Sequence, residues 1–170
     1  MYLKKIFHRE ESINQLRKRG VKIGENVDVF SSYIDDGHGF LISIGNNCTI
    51  TNSTILAHDA STKKVLGYSK VGKVSIGNDV FVGHGSIILP GVTIGDKVII
   101  GAGSVVRKNI PSNSVVLGNP ATVVCTYNEY IEKNKQHMES YPKYNTFWKK
   151  KSEEEKLRMI EEIASIGYDL

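Results

Sequence analysis

A histidine near the middle of the sequence stands where a proton acceptor would be useful. His58 follows an aliphatic run and, with Asp59, opens a polar segment rich in lysine and glycine. Imidazole changes its charge near neutral pH, so His58 is a candidate base for taking a proton from a substrate hydroxyl group. Loops that leave a rigid scaffold are frequent places for such residues. A surface-loop histidine without a chemical role is the plainer alternative.

A second polar cluster lies about one turn of a sequence repeat upstream of this histidine. Asp35, Asp36 and His38 stand within the stretch SSYIDDGHGF, and His38 precedes His58 by twenty residues. We expect these side chains to lie beside His58. A carboxylate there can orient the imidazole and stabilise its protonated form, or it can bind substrate hydroxyl groups. The spacing leaves open which aspartate does so, and a polar turn would have the same composition.

The repeat itself is clearest between Val74 and Pro111, where aliphatic residues recur every six positions. They are Ile76, Val82, Ile88, Ile94, Ile100 and Val106. Four positions after each lies a small or aliphatic residue: Val80, Ser86, Val92, Val98, Ser104 and Ile110. A period of six fits neither an amphipathic helix nor an alternating strand. It predicts a parallel β-helix with six-residue sides, in which inward residues eighteen positions apart stack, as Ile76 on Ile94.

Weaker copies of the repeat extend this prediction towards the N-terminus. Ile23 and Ile44 each precede a glycine, and the second copy continues through Ile50 and Leu56. We also expect the glycines after the aliphatic residues to lie near corners, where a left-handed or crowded backbone disfavours a Cβ atom. These glycines are Gly24, Gly45, Gly77, Gly83, Gly95 and Gly101.

Helical patterns flank the repeat on both sides. Residues 10–19 predict a short helix that ends at Gly20, and Ser152 with Glu155 forms a capping-box signature in a charged C-terminal region. Leu157, Ile160 and Ala164 form an apolar stripe, which we expect to pack against the β-helix or a neighbouring subunit. The expected organisation is an N-terminal helical segment, a β-helix with one long loop, and a C-terminal helical extension: residues 1–20, 21–125 with the loop at 58–73, and 126–170.

Composition limits the classes of function. The 170 residues carry a formal net charge of +4, with many of the basic residues near the two ends. Neither aromatic-basic interleaving nor zinc-finger spacing is present, so we expect no nucleic-acid partner. No apolar run approaches the length of a membrane span, and the N-terminal apolar stretch is too short for a signal peptide. We therefore expect a cytoplasmic protein.

The hexapeptide motif resembles that of the hexapeptide-repeat acyltransferases, over roughly residues 21–125. The segment from Ser75 to Ala121 is similar to the carboxy-terminal part of sugar and antibiotic O-acetyltransferases, such as the galactoside and maltose enzymes. The segment ILAHDASTKK resembles family members that act on capsular or lipopolysaccharide sugars. The resemblance implies an all-β fold, a left-handed parallel β-helix, in a homotrimer with active sites between subunits.

The resemblance also implies an activity, which is transfer of an acetyl group from acetyl-CoA to a hydroxyl of a sugar or glycan precursor in surface polysaccharide synthesis. His58 matches the position of the family's catalytic base. From the spacing of the residues we expect Asp35 or Asp36 to assist it, and we expect His38 and Asp59 to bind substrate. The cofactor-binding residues it implies are Gly83, His84 and Gly85 at the thioester, Ala102 and Gly103 along the pantetheine arm, and Arg107 and Lys108 at the phosphates. The family often has Thr-Lys at this last pair, so Arg107 departs from the pattern.

Four other functions are weighed against this activity. An N-acetyltransferase acting on an amino sugar nucleotide, or an antibiotic acetyltransferase, would use a similar base and cofactor track. A γ-class carbonic anhydrase has the same solenoid, but the position five residues after His84 is Leu89 instead of the required histidine, so we expect no metal. A non-catalytic solenoid scaffold would require neither His58 at the loop edge nor the Arg107-Lys108 pair.

Overall fold

The computed structural model describes residues 12–170, so the first part of the expected N-terminal segment, including the start of its predicted helix, lies outside the described residues. The chain divides into two compact units. The first ends at Tyr127 and the second comprises Asn128–Leu170. Along the residues from Ser12 onward, no helix is both long and apolar enough to span a bilayer.

The first unit is built almost entirely of very short strands. Its helices are α1 (Ile13–Lys18) and α2 (Lys63–Leu66), with a 3-10 turn at Gly39–Leu41. Its strands are β1 (Lys22–Ile23), β2 (Asp28–Phe30), β3 (Tyr33–Ile34), β4 (Ile42–Ile44), β5 (Thr49–Thr51), β6 (Thr54–Ile55), β7 (His58–Asp59), β8 (Lys70–Val71), β9 (Val74–Ile76), β10 (Phe81–Val82), β11 (Ile87–Ile88), β12 (Thr93–Ile94), β13 (Val98–Ile100), β14 (Val105–Val106), β15 (Ser114–Leu117) and β16 (Thr122–Thr126).

These strands stack into three parallel sheets that form the three faces of a β-helix. The sheets have the orders β1-β4-β9-β12, β2-β5-β10-β13-β15-β16 and β3-β6-β11-β14. Only β16 runs antiparallel within them, against β15 at the end of the stack. Cα pairing joins Ile76 to Ile94 on one face, Val82 to Ile100 on the second and Ile88 to Val106 on the third. The predicted eighteen-residue stacking is therefore confirmed.

The core follows the two inward positions of the repeat. Every aliphatic residue from Ile76 to Val106 in the six-residue series is buried. The residue four positions after each is buried as well, including Ser86 and Ser104, whose hydroxyl groups both donate to the carbonyl of Gly101. A buried hydroxyl needs such a partner, because leaving it without a hydrogen bond would cost free energy. The central prediction for the β-helix core is confirmed at both positions.

The register of one upstream copy was predicted wrongly. Ile55, not Leu56, is the buried residue of its side, and it pairs with Ile88. The corner between β5 and β6 is one residue shorter than the repeat, with Asn52 at φ 39°. Ser53 stabilises this tight corner, because its hydroxyl lies 2.7 Å from the carbonyl oxygen of Thr51 and 2.9 Å from that of Gly83. The shortened corner moves the inward position back by one residue.

The glycines of the repeat are required because neighbouring coils are crowded there, and not because their backbone is left-handed. A Cβ atom on Gly77 would lie 2.7 Å from the carbonyl carbon of Gly95 in the next coil, and Gly83 is in the same situation with the nitrogen of Ala102 at 2.6 Å. Positive φ angles occur two residues further along, mostly at Asn, Asp or Gly, which tolerate the left-handed region. Those residues are Asn26, Asn47, Asp79, Gly85, Gly91, Lys97 and Gly103.

Helix α1 leads into the first coil. Ser12 and Gln15 form a reciprocal capping box at its start, and Leu16 is buried in the core. The described helix, Ile13–Lys18, is shorter than the predicted 10–19, and Gly20 follows it at φ 90°, as expected for a helix stop.

The second unit begins within α3 (Tyr127–Ser140) and continues through β17 (Lys143–Tyr144), a 3-10 turn at Trp148–Lys150, α4 (Glu153–Glu162) and β18 (Tyr168–Asp169). The predicted capping box between Ser152 and Glu155 is confirmed. Strands β17 and β18 pair in parallel, and the side chain of Lys151, 6% exposed, lies 2.6 Å from Asp169. Leu157 and Ile160 on α4 are 60% and 75% exposed, and Ala164, the third residue of the predicted stripe, lies beyond the end of the helix.

Candidate active site

In two consecutive coils the chain loops outward from the β-helix at the same corner. Strands β3 and β6 are neighbours in one sheet, with Ile34 opposite Ile55, and the chain turns outward just after each of them. The first excursion carries Asp35 and returns through the 3-10 turn at Gly39–Leu41. The second carries His58 and forms a hairpin. Since the strands are paired in register, the residues that follow them are brought side by side.

Asp35 is the centre of this corner. It is fully buried, and both of its oxygens accept hydrogen bonds. Oδ1 accepts from the backbone N–H groups of Gly37 at 3.2 Å and His38 at 3.0 Å. Oδ2 accepts from the backbone N–H groups of Ala57 at 2.9 Å and His58 at 3.1 Å, and lies 2.5 Å from the ring Nδ1 of His58. These contacts compensate the loss of water around a buried carboxylate.

The protonation state of Asp35 follows from those contacts. Burial raises the pKa of a carboxyl group, but the hydrogen bonds from the His58 side chain and from the N–H groups of Ala57 and His38 outweigh burial. The net result is a pKa for Asp35 below its ordinary value of 3.8. Asp35 is therefore a carboxylate at neutral pH.

The ionised state of Asp35 fixes the tautomer of His58. Only a protonated Nδ1 can donate to a carboxylate oxygen, so in the neutral ring Nε2 is left with its lone pair. The side chain of His58 is 32% exposed although its Nδ1 is engaged, so part of the ring faces solvent. An imidazole held in this tautomer by a buried carboxylate is the arrangement of a general base.

His38 lies against this pair. Its ring centroid is 4.7 Å from that of His58, with 32° between the planes, and 6.0 Å from that of Phe40. The Nδ1 of His38 is buried, has no hydrogen-bond partner among residues 12–170, and lies 3.5 Å from Oδ1 of Asp35. The structure thus brings together Asp35, His38 and His58, three of the residues that the sequence predicted to be neighbours.

The other two acidic candidates are directed elsewhere. The Asp36 carboxylate, whose side chain is 72% exposed, lies 2.6 Å from the Arg19 guanidinium. Asp59 lies 2.8 Å from Nζ of Lys70 and accepts from the N–H of Ser61, and these contacts lower the pKa of Asp59. Asp59 thus closes the base of the hairpin. Asp35 and not Asp36 contacts the His58 imidazole, and the substrate-binding role of Asp59 stays a prediction.

The hairpin is the long loop expected at residues 58–73. Strands β7 and β8 pair in antiparallel fashion, His58 opposite Val71 and Asp59 opposite Lys70, and α2 forms the tip between them. The backbone N–H of Gly72 donates to the carbonyl of Ala57 at 2.9 Å, which returns the chain to the scaffold beside His58. The hairpin therefore anchors the backbone of the candidate base on both sides.

The expected thioester-binding residues occupy corners of two neighbouring coils. The N–H of Gly83 donates to the carbonyl of Ile100 at 2.8 Å, and the N–H of Gly103 donates to the carbonyl of His84 at 2.8 Å. Gly83 lies so close to Ala102 that only glycine fits there. Gly83, His84, Gly85, Ala102 and Gly103 thus belong to one continuous ridge of backbone.

Asn52 is a residue of this region that the sequence analysis missed. Its carbonyl accepts from the N–H of Gly85 at 3.0 Å, and its side-chain amide lies 2.9 Å from Nε2 of His84. The shortened corner at Asn52 produces this contact, and the shift of register was the signal that could have revealed it. The imidazole of His84 is thus engaged with the preceding coil.

Arg107 and Lys108 follow β14, which belongs to the sheet of β3, β6 and β11, so they lie at a different corner of the β-helix from Gly83 and Ala102. Both side chains are exposed, and among the residues from Ser12 onward neither forms an ion pair. Exposed cations of this kind are available to phosphate oxygens. Their predicted role stays a prediction.

The chain is similar to known proteins over most of its length. Residues 73–108 match the family model "Bacterial transferase hexapeptide (six repeats)". "Protein CapG" from Staphylococcus aureus is 40% identical over 150 residues, which cover 83% of this chain and 86% of CapG. The chain belongs to the hexapeptide-repeat transferase family.

Solved members of the family have the same fold. A hexapeptide-repeat containing acetyltransferase from Vibrio cholerae superposes with a TM-score of 0.56 at 24% identity, over 64% of this chain and 63% of that one, so the match spans less than two thirds of its length. A maltose O-acetyltransferase from Clostridium difficile 630 superposes with a TM-score of 0.50 at 31% identity, over 74% and 78% of the two chains. The fold class is the left-handed parallel β-helix that the resemblance implied, and the similarity to the maltose O-acetyltransferase supports an acyltransferase.

Asp35, His38 and His58 each offer one possible metal-binding atom, and these atoms lie within 4.8 Å of one another. A cation bound to both Oδ2 of Asp35 and Nδ1 of His58 would have to replace the hydrogen bond between them. The donor set also departs from the three-histidine zinc site of the γ-class carbonic anhydrases, which uses the same solenoid. In this hexapeptide-repeat transferase the contact between Asp35 and His58 is a hydrogen bond that orients the imidazole.

Proposed function

We propose that this protein transfers an acetyl group from acetyl-CoA to a hydroxyl group of a sugar or glycan precursor in surface polysaccharide synthesis. The observation that carries the proposal is the 2.5 Å contact between the buried Asp35 carboxylate and Nδ1 of His58. The similarity to a maltose O-acetyltransferase supports a sugar hydroxyl as the acceptor. A homotrimer with active sites between subunits and a cytoplasmic location belong to the same proposal.

His58 acts as the general base. Its Nε2 takes the hydroxyl proton while the acceptor oxygen bonds to the carbonyl carbon of the thioester, and Asp35 stabilises the imidazolium that forms. The tetrahedral intermediate then collapses, the carbon–sulfur bond breaks, and the proton on His58 passes to the departing CoA sulfur. The thioester is already activated, so no acyl-enzyme intermediate is required.

The oxyanion needs a hydrogen-bond donor that is already in place. In the segment expected at the thioester, the N–H of Gly83 donates to Ile100 and the N–H of Gly85 donates to Asn52. Because these two N–H groups already donate to carbonyl groups of the β-helix, neither is the donor for the oxyanion. We therefore assign the oxyanion to the backbone N–H of His84, whose side chain is held by Asn52.

The cofactor follows the ridge described above. Ala102 and Gly103 present little side-chain volume, so a pantetheine arm can lie against the backbone there. Arg107 and Lys108 supply two exposed cations for the phosphates of CoA. Together with His84, these residues extend from the thioester to the nucleotide end of the cofactor.

The test combines binding and turnover in one protein sample. Wild type is expected to bind acetyl-CoA saturably in calorimetry and to release CoA thiol when maltose or methyl galactoside is added. His58→Ala should lower the turnover rate by about 10²–10⁴-fold, the usual span for a general base, while acetyl-CoA still binds. His137→Ala, in the C-terminal unit, is the matched control and should turn over like wild type. Near-normal turnover by His58→Ala, or no acetyl-CoA binding by wild type, would refute the proposal.

A further inference from the structure

The buried carboxylate of Asp35 faces two imidazole rings, one with each oxygen. Oδ2 is 2.5 Å from Nδ1 of His58, and Oδ1 is 3.5 Å from Nδ1 of His38. Only the first distance is a hydrogen bond. The base mechanism uses His58 and gives no role to the buried Nδ1 of His38, which has no hydrogen-bond partner within the described part of the chain.

The charge on Asp35 selects the tautomer of His38. A neutral ring carries its proton on one nitrogen and a lone pair on the other. If the lone pair of His38 were on Nδ1, it would face a carboxylate oxygen with no donor between them, which is electrostatically unfavourable. A proton on Nδ1 faces the same oxygen favourably. The lone pair of His38 is then on Nε2.

Both rings consequently present the same group to the site. In both rings Nδ1 is the nitrogen near Asp35, at 2.5 Å in His58 and 3.5 Å in His38, and Nε2 is the other nitrogen of the ring. The side chains of His38 and His58 are 30% and 32% exposed, so each ring has a part open to solvent. Their centroids are 4.7 Å apart, close enough for two groups of one small molecule to reach both rings.

We propose that His38 is a second acceptor-binding residue, whose Nε2 accepts a hydrogen bond from a hydroxyl next to the one that His58 deprotonates. The acceptor class is then a molecule with two neighbouring hydroxyl groups, such as the vicinal diol of a sugar ring, and not an isolated alcohol. This inference rests on the proposed function for its substrate. Its prediction of the His38 tautomer does not depend on that function.

Three variants of His38 separate hydrogen bonding from packing. His38→Gln places an amide near the position of Nε2, His38→Asn places one near Nδ1, and His38→Phe keeps a ring beside His58 without nitrogen atoms. We expect the acceptor KM to rise by about tenfold or less in His38→Asn and His38→Phe, the effect of one lost hydrogen bond, and to recover in His38→Gln. If packing alone matters, His38→Phe will be the variant that recovers.

The substrate side of the test uses methyl galactoside and its 2-, 3-, 4- and 6-deoxy forms. Wild type should use at least one deoxy form less well at a position next to the acetylated hydroxyl, and His38→Phe should lose that discrimination. Equal discrimination by wild type and His38→Phe would overturn the inference.

Nitrogen NMR of the ring decides the tautomer independently of turnover. At a pH well above the ordinary histidine pKa of about 6.5, His38 in the wild-type chain should carry its proton on Nδ1. In Asp35→Asn this preference should weaken. A proton on Nε2 of His38 in wild type would refute the inference even if acetyl transfer is established. The expected tautomer without turnover of any glycoside would refute the proposed sugar acceptor and leave the geometry of His38 supported.

Discussion

Asp35 and His58 are twenty-three residues apart in sequence, and the carboxylate Oδ2 of one lies 2.5 Å from the imidazole Nδ1 of the other. The contact exists because β3 and β6, the strands that precede Asp35 and His58, pair in register. After each strand the chain leaves the coil at the same corner. The same carboxylate also binds the backbone N–H groups of Ala57 and His58. The scaffold thus fixes the position of the base, the direction of its ring and its tautomer together.

Replacement of the carboxylate by an amide tests this orientation. In Asp35→Asn the amide N–H₂ can donate to Nδ1 of His58, which favours a proton on Nε2 and removes the lone pair that accepts the substrate proton. We expect kcat to fall by about 10²–10⁴-fold, with the affinity for acetyl-CoA nearly unchanged. Asp28→Asn, an exposed change on β2, is the matched control. A kcat within about twofold of wild type would show that the Asp35 carboxylate is not needed.

Asp36 gives a second comparison, because the sequence left it as an alternative to Asp35. Its carboxylate is exposed and lies beside Arg19. Asp36→Asn is therefore expected to reduce kcat by less than about tenfold, the cost of a weakened surface ion pair and not of a lost base. If kcat falls as far in Asp36→Asn as in Asp35→Asn, the orienting role does not belong to Asp35 alone.

The lowered pKa of Asp35 also predicts how stability depends on pH. Because the folded-state pKa lies below the unfolded value, the unfolded chain binds more protons as the pH falls. The stabilisation by Asp35 is complete above the unfolded-state pKa of about 4 and disappears as the pH falls through the lower folded-state value. In urea unfolding, the difference in free energy of unfolding between wild type and Asp35→Asn should be larger near neutrality than near pH 3. A difference independent of pH would contradict this.

The sequence predicted the regular coils well for a physical reason. From Ile76 to Val106 every side has six residues, so the period alone identifies the inward positions. Upstream, the corner at Asn52 is one residue shorter, and aliphatic residues stand at both Ile55 and Leu56. Hydrophobicity cannot distinguish two adjacent aliphatic residues. Only the pairing with Ile88 in the next coil does so.

That register makes a direct prediction about stability. Ile55 is fully buried, whereas Leu56 is only half-buried. Ile55→Ala should lower the free energy of unfolding by about 2–5 kcal/mol, the usual cost of removing a buried aliphatic side chain. Leu56→Ala removes a similar volume at a less buried position and should cost clearly less. Denaturant unfolding of both variants measures the two losses in free energy. A larger loss in Leu56→Ala than in Ile55→Ala would support the six-residue register instead.

The sequence predicted which residues meet at the candidate site better than it predicted the contacts that each of them makes. Residue type and spacing brought Asp35, His38 and His58 together correctly. They could not separate Asp35 from Asp36, because adjacent aspartates look alike in sequence and differ only in the direction of their side chains. The roles of Asp59 at the hairpin base and of Asn52 beside His84 depend on cross-coil contacts that have no sequence period.

Two glycines of the thioester segment are needed for different reasons. A Cβ atom on Gly83 would lie 2.6 Å from the nitrogen of Ala102, whereas Gly85 has open space but a φ of +73°. Gly83→Ala should therefore destabilise the protein by about 1–3 kcal/mol through overpacking. Gly85→Asn should cost less, because asparagine tolerates the left-handed region. Thermal unfolding compares the two, and a Gly83→Ala variant as stable as wild type would contradict the close packing of these coils.

The exposed cations Arg107 and Lys108 can be tested through the cofactor alone. Removing the charge in Arg107→Ala or Lys108→Ala should weaken acetyl-CoA binding by about 3- to 10-fold, the effect of one solvent-exposed contact to phosphate. Added salt should reduce the difference from wild type, because it screens exposed charges. Acetyl-pantetheine, which lacks the CoA phosphates, should bind wild type and both variants equally. Lys133→Ala, a charge removal on α3, is the control and should bind acetyl-CoA as wild type does. If both ligands weaken in parallel, Arg107 and Lys108 support the fold of that corner and do not contact phosphate.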